Sequence, residues 1–281
     1  MAYEIRRMLK EDARQGWEWA RQEGWNPGLH DWEVINSIDP KGCFAGILDG
    51  KMVSSILAVQ YQRRYGFLGL YIVAPEYRGR GYGLAIWKHA IDYLTKDVGV
   101  ECIGLDGVLA NEALYKMWGF QTSYKIPQYK YVVNQTFKRR CPAISEKHFQ
   151  DIANYDLKVF KVDRASFLHD FIFKTEAKTG EAYIAGKLAG FAVARPCFEG
   201  YKIGPLFAED IEVARALIES LFANLPGQTI FIEVPEPNRQ AIKLVTDFNM
   251  SPGFPTNRMY TSKQYQQDVR YVYGVTTRFV G

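Results

Sequence analysis

The stretch Val73-Ala-Pro-Glu-Tyr-Arg-Gly-Arg-Gly-Tyr-Gly83 interleaves glycines at 79, 81 and 83 with arginines at 78 and 80. An apolar run, Phe67-Leu-Gly-Leu-Tyr-Ile-Val73, precedes it, and an amphipathic run from Leu84 to Leu94 follows. The order is strand, basic glycine-rich turn, helix. Such a turn aims backbone N–H groups and the positive end of a helix dipole at one point, which suits a phosphate or pyrophosphate. Glycine lets the backbone approach that anion without a Cβ in the way. Arg78 and Arg80 add charge-assisted hydrogen bonds. The turn is not a P-loop, because no Gly-Lys-Ser/Thr follows. Nor does it fit a dinucleotide fold, whose third glycine is missing at its spacing.

Downstream lies Asn111-Glu-Ala-Leu-Tyr-Lys-Met-Trp-Gly-Phe120, a short helical run stopped by glycine. Arg78-x-x-Gly81-x-Gly83 after a strand ending Val-x-Pro, followed by this segment, resembles the acetyl-CoA signature of the GNAT N-acetyltransferases. The resemblance implies acetyl-CoA as co-substrate, bound through Arg78, Gly79, Arg80, Gly81, Tyr82 and Gly83. It implies that the pantetheine arm pairs with the backbone of Tyr71, Ile72 and Val73 like an added strand. It puts Asn111 near CoA and Tyr115 beside the cofactor sulfur. A phenol with a pKa near ~10 is a suitable acid for a thiolate leaving group of pKa roughly 8–9. Asn111 also stands where it would cap the helix.

Amines are mostly protonated at neutral pH, so a base is needed. Asp106, after the strand Glu101–Leu105, is the candidate; alternatively Asp106-Gly107 only makes a turn. Trp25 and Asp31 are candidates for an aromatic, anionic acceptor pocket. Their structural alternatives are core packing for Trp25 and an N-cap for Asp31. No Ser/His/Asp arrangement stands out, so direct transfer without an acyl-enzyme is expected.

The elements that must position these residues read as mixed α/β. A strand at Tyr3–Met8, helices at 10–23 and 31–38, and a hairpin around Asp49-Gly50 lead into the Phe67–Val73 strand. The strand Glu101–Leu105, the Asn111 helix and one or more strands within 120–133, bent at Pro127, complete a unit over residues 1–135. Residues 136–143 are polar and basic and read as a linker. From 144 to 281 the order repeats. Helices precede a hairpin around Gly186-Lys187, a strand at 201–206, a helix at 210–224, a strand at 229–234 and a helix at 238–248. Where the Arg/Gly turn should recur stands Gly204-Pro-Leu-Phe-Ala-Glu-Asp210, with carboxylates that would repel a pyrophosphate. The arrangement resembles the YitH-like tandem GNAT proteins. It implies tandem GNAT folds, each a mixed, mostly antiparallel sheet flanked by helices. The lost Arg/Gly turn marks the second repeat as degenerate, and that half is expected to wall the acceptor cleft.

Composition is that of an ordinary globular protein. The 281 residues are 47% hydrophobic and 23% charged, with a net charge of +4 that is too mild to argue for nucleic acid. No apolar stretch is long enough to span a membrane and no signal region opens the chain, so a cytoplasmic location is expected. The four cysteines form no Cys-x-x-Cys pair and the histidines have no metal-ligand spacing, so no metal is expected. The function these features support is transfer of an acetyl group from acetyl-CoA to a small primary amine. The alternative is a non-catalytic module that senses acyl-CoA.

Overall fold

The computed structural model describes residues 2–262 and 265–281. Its first half runs β1 (Tyr3–Arg7), α1 (Lys10–Gln22), α2 (Asp31–Ile38), β2 (Cys43–Leu48), β3 (Lys51–Tyr61), β4 (Tyr65–Val73), α3 (Tyr82–Asp92), β5 (Cys102–Val108), α4 (Glu112–Met117), β6 (Gln121–Ile126) and β7 (Gln128–Val132). The second half runs α5 (Phe149–Phe160), α6 (Ala165–Phe173), β8 (Lys178–Ile184), β9 (Lys187–Pro196), β10 (Tyr201–Ala208), α7 (Ile211–Phe222), β11 (Thr229–Glu233), α8 (Arg239–Asp247), β12 (Ser251–Pro252), β13 (Thr256–Tyr260) and β14 (Val272–Gly274). The hairpin expected at Asp49-Gly50 forms with both residues at positive φ, the backbone of a favoured two-residue turn. Helix α1 buries Ala13, Trp17 and Ala20, the stripe its periodicity marks.

Two mixed sheets result, in the orders β1-β2-β3-β4-β5-β13-β6 and β12-β7-β11-β10-β9-β8, with β14 added against β10. Each has one parallel neighbour pair, β4 with β5 and β10 with β11, among antiparallel ones. The sheets do not follow chain order. Pro127 separates β6 from β7, and the two strands enter different sheets. Proline cannot donate to a ladder, which makes this a natural point to leave one. In return β13 comes from the second half and inserts between β5 and β6. A cut at 136–143 would therefore leave each sheet short of a strand.

Both parallel pairs come apart. β4 pairs with β5 only from Tyr65 to Leu68, and β10 with β11 only from Tyr201 to Ile203. Each diverging strand carries a register shift against its antiparallel neighbour, between Ser55 and Leu57 on the β3 side of β4 and between Ile203 and Leu206 on β10. In β4 the bulge places Leu70 at φ +49, a left-handed conformation that a branched side chain rarely adopts. In the second sheet β14 fills the parting, pairing with β10 at Leu206 and Phe207, while Val275 N donates to Glu233 O of β11 at 2.9 Å. In the first sheet no strand among the described residues pairs with Gly69–Val73 on the side facing β5.

After β14 the chain runs buried between the two halves. Tyr61 Oη donates to Val280 O at 2.9 Å, and Arg164 Nη2 to Thr276 Oγ1 at 2.8 Å. One apolar core spans the junction, joining Trp17, Tyr61 and Phe67 to Phe160, Phe191 and Phe279. A Cβ added to Gly69 would stand 2.2 Å from the Phe279 carbonyl oxygen. Gly69→Ala should therefore cost about 1–3 kcal/mol of unfolding free energy, as over-packing does. Urea denaturation is expected to show a lower midpoint at unchanged slope. A parental midpoint would mean that the 276–281 segment does not rest on β4.

Candidate active site

The parting of β4 from β5 opens a cleft of about 410 Å³. Tyr71, Ile72 and Val73 line it from one strand, Asp106 and Val108 from the other, and Asn111 and Tyr115 close one end. Past Leu68 the backbone of β4 has no strand partner on the cleft side among the described residues, and Val73 O there accepts from the Arg78 side chain. Past Val73 the chain makes a single 3-10 turn and enters the glycine loop, where Gly79 and Gly81 take φ +73 and +88. Gly81 is the N-cap of α3 and makes no side-chain capping bond. The N–H groups of the helix's first turn have no intrahelical partner, so they face outward as donors. In the second half Asp210 caps α7 and accepts from Val213 N at 2.9 Å. There the protein's own carboxylate occupies the place an anion would take.

The loop side chains are disposed less simply than their charge suggests. Arg80 is exposed and lies over the Tyr77 ring at 5.6 Å. Arg78 turns back, donating from Nε to Val73 O at 2.9 Å and pairing through Nη2 with Glu23. Tyr82 packs on Tyr3, with ring centroids 4.8 Å apart. Gly83 is needed for space, because a Cβ there would lie 2.8 Å from Tyr71 Oη. Burial, with Tyr115 nearby, pushes the Tyr71 phenol up to about 12.

Tyr115 sits in the cleft wall, 6% exposed, with its ring 5.3 Å from Trp87. Gly107 on β5 makes room for it, since a Cβ there would lie 2.4 Å from Tyr115 Cε2. Burial raises the phenol above its ordinary value, and a hydrogen bond with the Asn111 side chain pulls the other way. Asn111 makes no side-chain cap on α4. Its amide therefore remains on the cleft.

Two sequence expectations need correction. Asp31 is no N-cap; His30 holds that position, and the Asp31 carboxylate is 0% exposed. It accepts from Arg195 Nε at 2.7 Å and from Gly28 N at 3.1 Å, tying the α2 region to the second sheet. An amine cannot reach it. Asp106 meets the cleft through its backbone, while its carboxylate is 0% exposed and gripped at both oxygens by Arg258 of β13. Burial raises its carboxyl and Arg258 counters this. With no exposed oxygen, Asp106 is a strut between strands and not a base in contact with substrate. Trp25 does line the cleft, near Phe279 at a centroid distance of 6.4 Å. The same wall holds Glu23, Phe254, Thr256 and Arg278, which no spacing in the sequence marks. Only the fold brings them there, three of them from beyond residue 250.

The Acetyltransferase (GNAT) family pattern matches residues 3–120, and a second Acetyltransferase (GNAT) domain pattern matches residues 152–274. Holothin acyltransferase of Pseudoalteromonas sp. (strain SANK 73390) is 30% identical over 268 residues, covering 94% of this chain and 90% of that protein. The chain belongs to the GNAT acetyltransferase family. It is a tandem member and an N-acetyltransferase. An uncharacterized N-acetyltransferase of Bacillus subtilis (strain 168), YitH, is 26% identical over 225 residues, 76% of each chain. In fold, a putative acetyltransferase from Pyrococcus horikoshii superposes with a TM-score of 0.80, covering 99% of this chain and 96% of that one, at 22% identity.

Among the described residues of this tandem GNAT protein, no group of three or more His, Cys, Asp or Glu could hold a metal ion. No described helix is long and apolar enough to cross a membrane. Charge is concentrated behind the cleft wall. Glu233 lies 3.1 Å from Lys202 Nζ and 2.9 Å from Arg278 Nε. Burial alone would raise its carboxyl, but Arg278 and Lys202 together outweigh that and hold it at about 2. Its stabilising contribution is therefore complete above the unfolded value of about 4.3 and disappears as pH falls toward the folded value. Glu233→Gln should flatten the loss of stability between pH 5 and pH 2.5 in urea titrations. An unchanged acid limb would show that this carboxylate is not held by its two cations.

Proposed function

We propose that this protein transfers the acetyl group of acetyl-CoA directly to a primary amine of a small molecule. The observation that carries the reading is the cleft where β4 parts from β5. One wall is the β4 edge that β5 leaves, the uncapped start of α3 stands next to Tyr71 and Val73 of that wall, and the Tyr115 phenol lines the cleft. The uncapped first turn of α3 and the loop Gly79–Gly83 would hold the pyrophosphate. The backbone of Tyr71, Ile72 and Val73 would align the pantetheine arm and polarise the acetyl carbonyl from an N–H group. In this reading residues 1–135 hold the thioester, 136–143 link the halves, and 144–281 wall the acceptor side. The four free, buried cysteines are in keeping with a reducing cytoplasm.

The thioester supplies the acetyl group. The amine nitrogen bonds to the carbonyl carbon as the C–S bond breaks, so one proton must leave nitrogen and one must reach sulfur. Tyr115 donates to sulfur. Its raised pKa keeps it protonated through neutral pH, so this acid is not lost until the solution is well alkaline. Glu23 is the carboxylate on the cleft wall with solvent access, 34% exposed, and takes the place of Asp106 as the group to receive the amine's proton.

The test is thiol release from acetyl-CoA with a panel of primary amines. Tyr115→Phe should lower kcat by about 10²–10⁴ while acetyl-CoA affinity, measured by titration, changes less than a few-fold. Turnover like the parent's would remove Tyr115 from the acid role and leave water to protonate the thiolate.

A further inference from the structure

Arg278 stands apart from the other buried cations of this protein. Its side chain is 6% exposed and lines the cleft, with the guanidinium 4.3 Å from the Phe254 ring centroid. Nη2 donates to Phe254 O at 3.2 Å, but Nε and Nη1 have no hydrogen-bond partner among the described residues. Nε is 2.9 Å from Glu233 Oε1 without the alignment of a hydrogen bond, and that oxygen already accepts from Lys202 and Gln128.

The surroundings do not balance it. Behind the cleft wall four buried cations, Arg195, Lys202, Arg258 and Arg278, face three buried carboxylates, Asp31, Asp106 and Glu233. Asp31 is taken by Arg195 and Asp106 by Arg258, leaving Lys202 and Arg278 to share Glu233. Glu23, across the cleft, is paired with Arg78. A buried cation without its own anion, and buried N–H groups without acceptors, are costly features that a bound anion would relieve. A guanidinium whose Nη1 lacks an acceptor suits a carboxylate oxygen.

We propose that the acceptor carries a carboxylate as well as its amine, and that Arg278 is the specificity residue that receives it. The acceptor class is then an amino acid or another amine-bearing carboxylic acid, its apolar part lying against Trp25, Phe254 and Phe279. The proposal rests on the transferase reading above.

Matched pairs separate the two. Thiol release is measured on the full chain with L-phenylalanine against 2-phenylethylamine and L-leucine against 3-methylbutylamine. Binding without turnover is measured by thermal shift, in the presence of CoA, with N-acetyl-L-phenylalanine against N-acetyl-2-phenylethylamine. The carboxylate members should be favoured by about 10²-fold in kcat/KM and should alone raise the melting temperature. Arg278→Gln should erase the preference. Arg278→Lys, which keeps a cation beside Glu233 if the Gln variant folds poorly, should retain only part of it. Amines lacking the carboxylate used equally well or better would overturn the proposal while leaving the transferase intact. A preference that survives in Arg278→Gln, or carboxylates silent in both assays, would overturn it too. Arg278-dependent binding of the N-acetyl acid with no thiol release from any amine would instead keep the carboxylate site and sink the transfer reading.

Discussion

Two parallel strands that begin side by side must stay paired or have the space between them filled, because unpaired backbone N–H and C=O groups inside a protein are costly. This chain faces that constraint twice. β4 leaves β5 after Leu68, and β10 leaves β11 after Ile203. The second parting is closed by the chain itself, through β14 and the bond from Val275 N to Glu233 O. The first is left open, and the features of the candidate site collect around it. Leu70 accepts an unfavourable backbone to create it, Gly107 gives up a side chain so that Tyr115 can lie in its wall, and α3 begins without a cap beside it. The second repeat is degenerate in a physical sense as well: Asp210 satisfies its helix start and β14 its strand edges.

The second half also builds the far wall. Arg258 of β13 holds Asp106, Arg195 of β9 holds Asp31, and residues 276–281 lie between the halves. Removing one partner of such a buried pair typically costs 3–5 kcal/mol, so these contacts fix the wall's geometry more than they add net stability. Because β7 and β13 are exchanged between sheets, the two units are separate in sequence and interlocked in space.

Much of this was legible in the sequence where the signal is local. The strand, Arg/Gly turn and helix at 67–94 appear in place, as do the Asn111 helix, the Asp49-Gly50 hairpin and the repeat of element order after 144. The misreadings share one cause. Asp31 before a helix looks like a cap, and Asp106 after a strand looks free. Each is claimed by an arginine at least 150 positions away, at 195 and 258. The strand Thr256-Asn-Arg-Met-Tyr260 is fully buried although Thr256, Asn257 and Arg258 fill three of its five positions, so apolar patterning does not mark it. Pro127 announces a bend but not that the chain changes sheets there. Arg278 and Glu23 reach the cleft only through packing, and no spacing points to them.

Hydrogen exchange on the full chain, with and without acetyl-CoA, tests the difference between the two partings most directly. The amides of Tyr71–Val73 and of the loop and helix start at 78–84 should gain protection on addition of acetyl-CoA. Those of Leu206 and Phe207 should be slow in both states, because β14 already pairs with them. New protection at 203–213, or none at 71–84, would contradict the account of one open and one self-filled cleft.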